Sequence, residues 1–128
     1  MDDISQEELI TVIKDFIEMG HVENIVIMFK QDPSLYALTG ELIKDERFMV
    51  RMGVAVMFEE LKEIRPQEVE LAIPALLPLL DDPTSYVRGE AISLLATIGG
   101  PEAMDALIRL KDDPDSQVRE IVADASQE

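Results

Sequence analysis

His21 is the only histidine in the chain, and it stands three residues after Glu18. Glu-x-x-His is the local motif of carboxylate-bridged di-iron bundles, where two such pairs face each other across four helices. No second copy exists to complete that site, and Gly20, a residue type that commonly ends helices, separates the two side chains. No metal centre is expected. The paired acids Asp81-Asp82 and Asp112-Asp113 are of the type used for general acid and base work. Both pairs precede a proline at matching places, which points instead to turns and helix caps. Gly99-Gly100 stops one helix and starts another, and it lacks the lysine and further glycines of a phosphate loop. Serine and threonine nucleophiles lack a histidine base, and no motif supports a lone-lysine mechanism. The expectation is a non-enzyme with no catalytic, cofactor-binding or metal-ligating residue.

Composition narrows the remaining classes. A chain of 128 residues suits one domain, and its 47% apolar content suits a packed core rather than disorder. With 27 acidic against 11 basic residues the net charge is −16. Such a surface repels phosphate backbones and anionic headgroups, so neither nucleic acid nor membrane is an expected partner. No cysteine is present, which removes disulfides and thiolate chemistry and fits a reducing cytoplasm. The start, MDDISQEELI, carries acids where a signal peptide carries positive charge. The apolar runs, Ile25 to Phe29 and Leu71 to Leu80, fall well short of the ~20 residues that span a bilayer. A soluble, cytoplasmic protein is expected.

The elements that must carry any site read as helices throughout. Ser5 can cap a first helix in which Leu9, Val12, Ile13, Phe16 and Ile17 recur at helical spacing, up to Gly20. A second segment, Val22 to Lys30, is apolar nearly all round and should be sandwiched. Helices are predicted further at 34–44, 47–64, 67–80 with a kink at Pro74, 84–98, 101–111 and 115–125. No stretch alternates with period two, so no sheet is expected.

Internal self-similarity is the strongest signal. DDPTSYVR (81–88) and DDPDSQVR (112–119) superpose without gaps at an offset of 31 residues, and KDERFMVR (44–51) joins them at an offset of 37. Each copy places valine five residues and arginine six residues after an acid: Asp45, Val50 and Arg51; Asp82, Val87 and Arg88; Asp113, Val118 and Arg119. A leucine-rich helix precedes the acid and another apolar helix follows it, so each unit is helix, tight turn, helix. A lone pair cannot cover its own apolar side, and units must therefore stack.

This pattern resembles the HEAT repeat family, in particular the short prokaryotic variety called phycobilisome-lyase-like. Pro74, eight residues before Asp82, also sits where HEAT units often bend their first helix. The resemblance covers residues 35–125 and implies an all-α, right-handed α-α superhelix of about eight helices forming one domain. Repeat units would then span 35–65, 66–100 and 101–128, with 1–34 as an N-terminal cap or degenerate unit. It further implies that Asp45, Arg51, Asp82, Arg88, Asp113 and Arg119 form a structural ladder of hydrogen bonds between neighbouring units.

In HEAT-like solenoids the second helix of each unit lines the concave face. Val50, Val54, Met57, Phe58 and Leu61 form the core stripe of helix 47–64. Residues one before, two after and six after each unit's valine project away from that stripe at 100° per residue. They are Met49, Met52 and Val56, then Tyr86, Gly89 and Ser93, then Gln117, Glu120 and Asp124. The face grades from apolar and methionine-rich to polar and acidic, and an exposed methionine patch suits contact with a partner. Three fates for the patch stay open: a protein or peptide partner, of basic character to suit the acidic surface; burial by the N-terminal helices; or self-association. The leading expectation is a protein-interaction scaffold. The alternative is an accessory or maturation subunit with a lyase-like role in cofactor attachment, which the resemblance to chromophore lyases suggests.

Overall fold

The computed structural model describes residues 4–126; Asp2 and Asp3 of the acidic start and the last two residues of the polar ASQE end lie outside them. Helix α1 (Gln6–Glu18) opens with a reciprocal cap: Glu8 N–H donates to Ser5 Oγ at 3.1 Å, and Ser5 N–H donates to Glu8 Oε1 at 3.3 Å. Gly20 turns the chain at φ +91° into α2 (Val22–Gln31). Further helices are α3 (Thr39–Ile43), α4 (Phe48–Ile64), α5 (Ile73–Leu76), α6 (Ser85–Ile98), α7 (Pro101–Ile108) and α8 (Ser116–Ser126). No strand occurs among the described residues.

Two of the predicted helices are broken more finely than the sequence suggested. The segment expected as one helix over 34–44 is a 3-10 turn, Pro33–Leu38, running into α3. The segment expected over 67–80 with one kink is instead a 3-10 turn (Glu68–Ala72), then α5, then a second 3-10 turn (Leu77–Asp81). Pro74 and Pro78 both lack an N–H, so each removes one regular helical bond, and the tighter geometry takes over on either side of the short α5. Helix α7 also stops three residues before the expected Lys111.

The longer helices lie side by side in the order α1, α4, α6, α8, each packed on the next. The broken helices lie behind them, with Pro33–Leu38 against Glu68–Ala72, α3 against α5, and α7 against α6. Helix α2 packs on both α1 and α4. Val50, Val87 and Val118 occupy equivalent places in the first turns of α4, α6 and α8, and all three are buried. Burial of each stabilises the stack by roughly 1.5–3 kcal/mol, more than an exposed ion pair contributes. At the N-terminal end Phe29, Tyr36 and Phe58 meet edge-on, with centroids 5.0 and 5.9 Å apart.

Candidate functional site

The repeated triplets form two kinds of contact, one inside each unit and one between units. Inside each unit the acid's carboxylate accepts the backbone N–H two residues on: Arg47 at 2.8 Å for Asp45, Thr84 at 2.8 Å for Asp82, and Asp115 at 2.9 Å for Asp113. The arginine then reaches back and donates to the carbonyl of that same acid. The distances are 2.9 Å for Arg51 to Asp45, 2.8 Å for Arg88 to Asp82, and 2.7 Å for Arg119 to Asp113. Acid and arginine together fasten the turn that feeds the second helix.

Between units the geometry varies. Arg88 grips Asp113 with two bonds, Nε to Oδ2 at 2.8 Å and Nη2 to Oδ1 at 2.9 Å. Arg88 holds the Asp113 carboxyl below the usual carboxylate range, outweighing the opposing effect of burial. One junction earlier, Arg51 does not meet the equivalent Asp82; its Nε donates to Glu90 Oε2 at 2.9 Å. The Tyr86 ring stacks on the Arg51 guanidinium with its centroid 4.3 Å away, and the Tyr86 hydroxyl donates to Lys44 O at 2.9 Å. Tyr86 thus clamps two units together and is only half-exposed. At the N-terminal end Lys14 of α1 pairs with Asp45 at 3.3 Å, and Arg47 reaches Asp15 and Glu18 at 3.1 and 2.8 Å. The Asp45 carboxyl is held well below its ordinary range, chiefly by the Arg47 side chain. Glu18 therefore faces an arginine, while exposed His21 rests edge-on against Phe16.

The face read as a partner surface divides sharply. Met49, Met52 and Val56 are 51%, 41% and 50% exposed. The N-terminal helices do not bury them: Ile17 and Val22 press on α4 at Gly53 instead, where an added methyl would drive into Ile17 Cγ2. Phe48, which the one-before, two-after, six-after rule passed over, is 60% exposed beside them. Ser93 is half-buried, and Gln117, Glu120 and Asp124 are exposed. Gly89 does not lie open as expected. It is buried where α6 and α8 approach, and a Cβ there would stand 3.4 Å from Ile121 Cδ1 and 3.9 Å from Val118 Cγ2. Two residues after its valine, a position on α6 faces the next helix rather than the surface.

The exposed face of α4 continues past the methionines. Met49, Met52, Val56, Glu60 and Glu63 recur at intervals of three and four and share one side of the helix, with Glu59 adjoining. All of them are exposed. At the boundary between the apolar and acidic halves lies a shallow pocket of about 370 Å³, lined by Val22, Glu23, Asn24, Val56 and Glu60 with the Gly20–His21 backbone turn.

Helix pairs stacked through a repeated acid–arginine turn, with one layer of longer helices presenting an open face, define an α-α solenoid. The sequence profile of HEAT repeats matches residues 38–127, over two thirds of the chain, and the chain belongs to that family. HEAT repeats generally serve as scaffolds for protein–protein contacts. No curated protein and no solved structure matches the chain. No helix among the described residues is long and apolar enough to cross a membrane.

Proposed function

We propose that this chain is a non-catalytic scaffold that holds a protein or peptide partner against the open side of α4. The observation that carries the reading is the contiguous row Phe48, Met49, Met52 and Val56, each more than two fifths exposed on one helix. Monomeric proteins rarely leave so continuous an apolar strip to water unless something covers it, and methionine adapts its shape to what it meets. The acidic, cysteine-free composition supports a cytoplasmic setting and disfavours nucleic acid as the occupant.

Replacing Met52 with Lys tests this directly. The variant should melt close to the parent, within about 0.5 kcal/mol in stability, because the side chain leaves no cavity. It should also lose the protein that the parent captures from cell extract. Unchanged capture by a folded variant removes α4 as the docking face. A fall of several degrees in melting shows that the side chain supports the fold instead.

A further inference from the structure

The face of α4 is not uniform, and its change of character along the helix describes the shape of what fits it. Met49 to Val56 spans seven residues, about 10 Å of apolar strip, and Val56 to Glu63 continues the same line for a further ~10 Å as carboxylates. None of the ion pairs among the described residues uses Glu59, Glu60, Glu63 or Glu23, so these charges face water. The pocket at the boundary has apolar walls in Val22 and Val56 and acidic ones in Glu23 and Glu60. Such a lining matches a lysine or arginine side chain, whose methylene stem lies on the valines while its cationic head meets the carboxylates.

Building on the scaffold reading, we infer that the partner segment is an amphipathic helix with segregated chemistry. Two or three apolar residues at helical spacing cover Met49, Met52 and Val56. Basic residues one to two turns further along reach Glu23, Glu59, Glu60 and Glu63, and one of them fills the pocket beside Val56. An all-apolar helix would leave the carboxylates stranded against its far end, and an acidic one would be repelled there.

Synthetic peptides separate the two layers of the argument. The first is an eighteen-residue helix with leucine at positions two, five and nine and lysine at twelve, thirteen and sixteen, copying the spacing of α4. The second carries glutamate at the three lysine positions. Titrated against the whole chain at physiological salt, the lysine peptide should bind at least about tenfold more tightly. The double variant Glu60→Lys/Glu63→Lys should reverse that preference. It should also fold normally, because lysine suits the end of a helix near its C-terminus. Equal binding of both peptides overturns the charge assignment while leaving the scaffold reading intact. The same holds if Glu102→Lys/Asp105→Lys, an equal charge change on distant α7, weakens the lysine peptide as much. Failure of both peptides, or binding that Met52→Lys leaves untouched, overturns the scaffold reading and this inference together.

Discussion

The junctions α4/α6 and α6/α8 are built from the same written motif and closed by different chemistry. Between α6 and α8, Arg88 meets Asp113 two-pronged, and their side chains are 13% and 3% exposed. Between α4 and α6, Arg51 turns to Glu90, whose side chain is 26% exposed, and the Asp82 carboxylate is left without an arginine. Two positions differ between the joints: Glu90, matched by Ile121 in the last unit, and the residue before each valine. Tyr86 lays its ring on Arg51 and anchors its hydroxyl on Lys44 O, whereas the equivalent Gln117 in the last unit is exposed and donates its backbone N–H to Asp115. A repeated acid and arginine therefore specify the turn inside each unit. The neighbouring side chains decide where the arginine's spare N–H groups go.

The comparison breaks most visibly at Arg88. Its replacement by alanine strands a buried carboxylate at Asp113 and should cost about 2–3 kcal/mol, read as a lower urea midpoint. Arg51→Ala leaves Glu90 able to hydrate and should cost about 1–2 kcal/mol, most of it from stacking and the turn bonds. Equal losses at the two sites would show that the two-pronged pair adds nothing beyond the shared clamp. Acid provides a second test. Asp113 titrates lower folded than unfolded, so its contribution is complete above its ordinary value of 3.8. It fades as pH falls below that value toward the depressed folded one. The stability gap between the parent and Arg88→Ala should narrow below about pH 4, and a gap constant down to pH 2 would remove Asp113 as its source.

The sequence displayed the stack and hid the details at its joints. The Asp, Val and Arg spacing located three turns and three buried valines because both are fixed by local geometry, a capped turn and a helical stripe. It implied a ladder between units, and a repeat in which equivalent residues had equivalent partners would bring Arg51 to Asp82 as Arg88 meets Asp113. Glu90 and Tyr86 lie outside the triplet, and only three-dimensional packing brings them to the arginine. Gly89 was misplaced for a related reason: helical angles distinguish core from surface on one helix but do not say where a neighbour sits. The role of α1 was legible and passed over. Ile13, Lys14 and Ile17 repeat the spacing of Val50, Arg51 and Val54, and the structure places α1 beside α4 with both isoleucines buried. Lys14 bonds Asp45 much as Arg88 bonds Asp113, so the search for arginine alone concealed the match.

The smallest expected effect sharpens the comparison most, because it exchanges one joint for the other. Tyr86→Gln gives the second unit the residue found in the third. Loss of the hydroxyl bond to Lys44 O and of the stacked ring should cost about 0.5–1.5 kcal/mol. With the ring gone, only Phe48, its centroid 5.7 Å away, still stacks near the Arg51 guanidinium, and Asp82 has a carboxylate oxygen not engaged by Thr84 N–H. A double-mutant cycle pairing Arg51→Ala with Asp82→Asn tests the exchange, since asparagine preserves the acceptor for that turn bond. In the parent the coupling should be near zero; on the Tyr86→Gln background it should rise to about 0.5–1 kcal/mol. Coupling absent from both backgrounds would mean that backbone spacing, and not the tyrosine, directs Arg51 to Glu90. The offset of 37 residues before this joint, against 31 before the next, and Glu90 in place of Ile121 would then be the features that set the two apart.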